Sequence, residues 1–251
     1  MNTPANAINP KKVILITGAS RGIGAFTAAL LARQGHQIVI NYANNALEAD
    51  QVVEKIKATG GTASAFKADI SQSHQVVQLF DHVIQNYGRI DILINNAGIM
   101  SLEKIEALKD ETIEKVLAIN LKGALYTMRE AAKRLEQGGK IINLSSSVIG
   151  MKLEGYGVYT ASKAAIEALT VILAKELRGR NITVNAIAPG PTATELFFEG
   201  KSEALIAQLA KAAPLERLGT VEDIAAVLDF AVSDASNWIN AQVIRANGGI
   251  I

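Results

Sequence analysis

Short apolar runs rich in β-branched residues recur along the chain, separated by longer stretches whose apolar positions return every three or four residues. The runs at 13–17, 37–41, 62–67, 90–95, 140–145, 182–187 and 243–246 predict strands. Several are apolar almost without a break, as parallel strands covered on both faces require. The stretches at 23–34, 46–59, 72–87, 112–136, 158–178 and 221–232 predict helices. Gly35, Gly60, Gly88, Gly138 and Gly179 stand where a left-handed cap would close a helix. Alternation of this kind implies right-handed βαβ crossovers. The expected fold is α/β, doubly wound, with one parallel sheet of about seven strands and helices on both faces. No linker, low-complexity tract or charge block divides the chain. One domain over 13–251 is expected, preceded by a flexible arm at 1–12. Such sheets take ligands beyond the carboxyl ends of their strands, where strand order reverses.

Composition narrows the function classes. Of 251 residues, 49% are hydrophobic and 20% charged, which suits a packed core and excludes a disordered chain. Lys+Arg number 25 and Asp+Glu 24, a net charge of +1 with no basic run. Neither nucleic acid nor an anionic membrane is therefore an expected partner. There are no cysteines, which removes disulfides, thiolate nucleophiles and Cys-ligated zinc, and no metal is expected. No apolar stretch approaches the ~18 residues of a membrane span, and the first residues lack an apolar signal segment. A soluble, cytoplasmic protein is the expectation.

The first strand runs into Thr17-Gly18-Ala19-Ser20-Arg21-Gly22-Ile23-Gly24 and then a helix. Glycines there let the backbone approach a ligand, and the helix N-terminus offers free N–H groups to a pyrophosphate. The same residues satisfy G-x-S-x-G, the nucleophile elbow of α/β-hydrolases. His36, His74 and His82 are the only histidines, so the late histidine of a hydrolase triad is missing. A P-loop is excluded because no Gly-Lys-Ser/Thr follows.

Tyr159 and Lys163 are four residues apart and share a helix face. Lowering a phenol by about three pKa units takes roughly 4 kcal/mol. An ammonium ~4 Å away at an effective dielectric of ~20 supplies about that much. The lysine is thus expected to lower the tyrosine pKa.

These features resemble the short-chain dehydrogenase/reductase family over essentially the whole chain. The glycine turn is followed in order by Asn95-Asn96-Ala97-Gly98, Asn120, Ser145-Ser146-Ser147, Tyr159-Thr160-Ala161-Ser162-Lys163 and Pro189-Gly190-Pro191-Thr192-Ala193-Thr194. The resemblance implies a Rossmann fold and hydride transfer between NADP(H) and a carbonyl or alcohol substrate. It makes Tyr159 the general acid/base, assigns Lys163 to the tyrosine and the nicotinamide ribose, and lets Asn120 position a water linking the lysine to solvent. The family's usual spacing to the tyrosine picks Ser146 as the serine that polarises the substrate oxygen, whereas counting back from Gly150 gives Ser147.

The cofactor-binding set implied is Gly18, Ser20, Arg21, Gly22, Ile23, Gly24, Asn41, Asp69, Ile70, Asn96, Ala97, Gly98, Tyr159, Lys163, Pro189, Gly190, Thr192 and Thr194. Enzymes choosing NAD(H) place an acid about 20 residues past the glycine turn. Here Asn41 stands in that place, no carboxylate occurs from Ile38 to Asn45, and Arg21 brings positive charge. NADP(H) is the expected cofactor and NAD(H) the less favoured one. Asp69 is expected at the adenine, or alternatively as a helix N-cap. A substrate lid is expected at 195–218, with Phe197 and Phe198. Met100, Val148, Met151 and Tyr156 near the mouth favour a neutral, partly apolar aldehyde or ketone. The helices at 112–136 and 158–178 are expected to pair in a homodimer or homotetramer. The competing reading is a silent dinucleotide-binding sensor that kept the fold and lost turnover.

Overall fold

In β1 (Val13–Ile16) alternate side chains point to opposite faces, yet all four residues are at most 1% exposed. Burial on both sides demands a helical layer on each face of the sheet. The computed structural model describes residues 11–251 and supplies both layers. The expected arm falls almost wholly on residues 1–10, which lie outside the described residues.

The other strands are β2 (Gln37–Tyr42), β3 (Thr62–Lys67), β4 (Ile92–Asn95), β5 (Lys140–Leu144), β6 (Thr183–Pro189) and β7 (Val243–Ala246). They form one parallel sheet of seven strands in the order β3-β2-β1-β4-β5-β6-β7. The chain winds outward from β1 to β3, then returns to β4 on the other side of β1. The crevice between the carboxyl ends of β1 and β4 is the switch point.

The principal helices are α1 (Gly22–Arg33), α2 (Ala46–Ala58), α3 (Ser73–Tyr87), α4 (Asp110–Leu117), α5 (Ala124–Arg134), α6 (Val148–Met151), α7 (Gly157–Glu176), α8 (Glu195–Phe198), α9 (Glu203–Ala212) and α10 (Val221–Val232). Phe80 of α3, Met128 of α5 and Ile166 of α7 belong to one core with Leu15, Leu93 and Ile141. Leu31 of α1, Ile56 of α2 and Leu228 of α10 share the other with Ile14, Ile38 and Ile142. By length and composition α7 could cross a membrane, but it packs Ile166, Leu173 and Ala174 into the first core. The five glycines expected as caps all have φ between 78° and 90°, but Gly138 caps no helix: α5 ends at Arg134 with an extended Leu135, and Gly138 N instead donates to Arg180 O at 3.1 Å.

One element departs from the expected pattern. The helix predicted at 112–136 is interrupted by a π-helical turn, Ala118–Gly123, joining α4 to α5. Such bulges are single turns inside α-helices and are frequent at functional sites. Here the turn carries Asn120, whose amide both donates to Ile99 O (2.8 Å) and accepts from Ile99 N (2.9 Å).

Candidate active site

A cleft of about 980 Å³ opens at the carboxyl ends of the strands. Its floor begins with the glycine turn. Gly18 has φ +60°, and a Cβ there would lie 2.7 Å from Ala97 Cα. A Cβ on Gly24 would lie 2.5 Å from Asn96 Nδ2. Only glycine permits this approach. Asn96 Nδ2 donates to Thr17 O and Gly18 O, each at 2.9 Å, while Thr17 Oγ1 accepts from the amides of Asn96 and Ala97 at 3.1 Å. Asn96 thereby ties the end of β4 to the turn. Arg21 at the N-cap of α1 is extended and offers no side-chain cap, so the first-turn amides lack a side-chain acceptor. Helix N-termini in that state favour anions.

At the adjoining wall, Asn41 is only 2% exposed. Its Oδ1 accepts from Gly18 N (3.4 Å) and its Nδ2 donates to Ala68 O (2.9 Å), joining β2, the turn and the end of β3. Ala43, Asn44, Asn45 and Glu48 line the cleft beyond it, with Ser20 and Arg21 opposite. Arg21 Nη1 pairs with Glu195 Oε2 at 2.8 Å. Asp69 and Ile70 border the same region. The N-cap alternative for Asp69 is corrected: α3 starts after Gln72, and the Asp69 carboxylate instead accepts from Ser71 N at 2.9 Å.

The three serines after β5 separate cleanly. Ser145 Oγ donates to Glu167 Oε1 (2.7 Å). Ser147, 1% exposed, donates to Ala188 O (3.1 Å) and accepts from Asn247 Nδ2 (3.0 Å). Ser146 is partly exposed, lines the cleft together with Tyr159 and accepts from Val148 N at 3.3 Å. Lys163, 5% exposed, donates to Leu144 O at 2.6 Å and sits 5.8 Å from the Tyr159 ring centre. A Cβ on Gly98 would lie 3.4 Å from Asn120 Oδ1 and 3.6 Å from Lys163 Nζ, so these groups flank one point.

The tyrosine pKa moves against expectation. Burial pushes Tyr159 up to about 12; the neighbouring Ser146 hydroxyl opposes the rise and Tyr156 adds to it. Burial also pulls Lys163 down to about 8. Desolvation disfavours the charged form of each group, so it raises the phenol and lowers the ammonium. The ammonium also directs its short hydrogen bond to Leu144 O rather than to the phenol.

Beyond Gly190, the chain leaves the sheet under close contact: a Cβ on Gly190 would lie 2.8 Å from Asn247 Cα. Pro189, Thr192 and Thr194 line the cleft, and Thr194 caps α8 by accepting from Phe197 N at 3.2 Å. Phe197 and Leu209 face the cleft, whereas Phe198 is 43% exposed and stacks edge-on against Phe197. Of the expected site residues, all but Gly24 and Asn120 line this one cleft. Gly24 lies beneath Asn96, and Asn120 behind Ile99.

A family model described as enoyl-(acyl carrier protein) reductase matches residues 18–251. A short-chain type dehydrogenase/reductase of Picea abies is 46% identical, covering 95% of this chain and 92% of the relative. The chain belongs to the short-chain dehydrogenase/reductase family. Within that family it is 41% identical to NADPH-dependent aldehyde reductase 2, chloroplastic, of Arabidopsis thaliana, covering 96% of this chain and 94% of that one. A short chain dehydrogenase from Burkholderia cenocepacia J2315, solved in complex with NADP, superposes with a TM-score of 0.91 at 33% identity, covering 98% and 99% of the two chains.

The family motifs do not account for the whole cleft. Asn44, Asn45, Glu48, Glu103, Leu153 and Glu199 line it and belong to no motif read from the sequence. The signal for Asn44 and Asn45 was their position directly after β2. Glu48 lies just past 38–45, the segment where an acid selecting NAD(H) is expected. Glu103 and Glu199 sit in irregular segments where spacing carries no information.

Proposed function

We propose that this family member reduces aldehydes or ketones with NADP(H), using Tyr159 as the proton donor. The observation that carries the reading is the convergence of Tyr159, Ser146 and Lys163 on the cleft floor beside an uncapped helix N-terminus. The first-turn amides around Ile23 would hold the pyrophosphate, Asp69 and Ile70 the adenosine, and Pro189 through Thr194 the nicotinamide carboxamide. Ser20, Arg21, Asn44 and Asn45 surround the position for a 2′-phosphate, which supports NADP(H) over NAD(H). The relatives named for NADPH or solved with NADP support the same choice. NADPH bound there supplies the hydride. Ser146 hydrogen-bonds the carbonyl oxygen, and the Tyr159 phenol gives that oxygen its proton. Lys163 holds the ribose and keeps positive charge near the phenol. Asn120, fixed by Ile99, holds the π-turn behind the lysine.

Residues 195–218 are proposed as the lid over the substrate end, with Phe197 and Leu209 as its inner face. Leu125 on α5 and Ile172 on α7 are 42% and 50% exposed, which supports pairing of these helices between copies in a dimer or tetramer. The absence of cysteine suits a reducing compartment such as the cytoplasm.

The test is an NADPH-oxidation screen over aldehydes and ketones, with KM for NADPH and NADH compared on any substrate found. Turnover with a lower KM for NADPH is expected. A clear preference for NADH contradicts the cofactor assignment, and bound cofactor without turnover favours a sensor.

A further inference from the structure

Glu103 is a carboxylate that the proposed chemistry does not use. It lines the substrate end of the cleft, in the segment between β4 and α4. Its Oε2 is buried and has no hydrogen-bond partner among the described residues. The residue as a whole is half-buried and borders the cleft, so its carboxylate is a polar group at the cleft wall with one oxygen turned away from solvent. The segment carrying it is held at two points. Ile99 is paired with Asn120, and Glu103 N donates to Gly155 O at 3.0 Å, immediately before Tyr156. Glu103 is therefore presented from a fixed backbone rather than from a free loop.

The charges around it sharpen the chemistry. Glu199 lines the same end of the cleft. The lysines and arginines lining the cleft are Arg21, Lys115 and Lys163. Arg21 pairs with Glu195, Lys115 is on α4, and Lys163 donates to Leu144 O. Lys201 Nζ is held by Phe197 O at 2.6 Å and over the Phe197 ring at 4.8 Å. An anionic substituent would meet like charge at this end. A hydrogen-bond donor reaching the cleft wall would meet the carboxylate of Glu103, which borders the cleft.

We propose that Glu103 is a specificity-determining residue that accepts a hydrogen bond from a hydroxyl or ammonium substituent of the carbonyl substrate. The assignment rests on the reductase reading above and names the substrate class within it: hydroxylated or amino-substituted aldehydes and ketones rather than plain alkyl ones. Hydrogen bonds to a charged group typically change binding by about ten-fold or more.

The experiment measures kcat/KM with NADPH on two matched pairs, glyceraldehyde against butanal and aminoacetone against butanone. Wild type is expected to prefer the donor-bearing member of at least one pair by about ten-fold. In Glu103→Ala that preference falls toward unity through loss on the donor-bearing member alone, with Tm and NADPH Kd unchanged. Glu103→Gln, which keeps an acceptor oxygen but loses the charge, retains part of a hydroxyl preference and loses an ammonium preference. Equal losses on both members of a pair, or no change on either, overturn the assignment and leave the reductase reading standing. If neither member of either pair oxidises NADPH although butanal, butanone and the wider carbonyl screen are offered, the reductase reading itself falls, and the assignment with it.

Discussion

Tyr159 is a phenol held in its protonated form. Burial that raises its pKa to about 12 favours the neutral species, which is the one able to donate a proton in carbonyl reduction. A general acid works below its pKa and fails as pH rises through it. Reductive kcat should therefore be flat across neutral pH and decline only on the alkaline side, whereas alcohol oxidation, which needs the phenolate, should rise with pH. Paired pH–rate profiles in both directions check this. Lys163 loses its charge as pH rises through about 8, so NADPH affinity should weaken above that value even where kcat holds. The neighbouring serines supply a contrast. Ser146→Ala should cut kcat by about 100-fold or more while NADPH Kd is retained. Ser147→Ala removes the contacts to Ala188 and Asn247 and should instead lower stability by about 1–3 kcal/mol, read by thermal or urea unfolding.

Between elements, the pair Arg21–Glu195 links the glycine turn to the start of α8 across the cleft. Its side chains are 59% and 74% exposed, so it is worth only about 0.2–1 kcal/mol. Glu195→Gln should release Arg21 and lower KM for NADPH a few-fold while leaving KM for NADH unchanged. Steady-state kinetics with both cofactors give the answer. A second link joins β4, β5, α5 and α7 inside the core: Asn95 Nδ2 donates to Asn143 (2.9 Å), Asn143 to Thr170 (2.9 Å), and Thr127 to Asn95 (2.6 Å). Asn143 is fully buried, so Asn143→Ala strands its partners and should cost about 1–3 kcal/mol in unfolding free energy. Elements of this kind divide what the sequence reveals. The strands were legible because two-sided burial makes them continuous apolar runs. The π-turn at Asn120 was not, because a phase shift of one residue is too small to tell from the ordinary scatter of apolar positions along 112–136. α6 is four residues long and carries too few positions for any period to register.

The whole molecule shows where motif reading stops. The glycine turn, Tyr159 and Lys163 could be placed from sequence because each is fixed by spacing along a single element. The direction of the Tyr159 pKa could not, since it depends on what encloses the ring rather than on what lies four residues away. Glu103 was invisible for a similar reason: its environment is made by chain segments distant in sequence. Assembly belongs to this scale as well. Leu125 and Ile172 present apolar side chains on helices whose other faces already pack the core, and the single tryptophan, Trp238, is 98% exposed elsewhere on the surface. Ile172→Glu should shift the protein to a smaller species in size-exclusion chromatography with light scattering. An unchanged mass would contradict pairing through these helices.

On the proposed reading, Tyr159 delivers the proton in an NADPH-dependent carbonyl reduction. A single-turnover measurement of NADPH consumption, made on wild type and Tyr159→Phe beside a fluorescence titration of NADPH binding, tests it directly. The variant is expected to bind NADPH as wild type does and to consume it about 100-fold more slowly or worse. Tyr159→Phe turning over at the wild-type rate would contradict it.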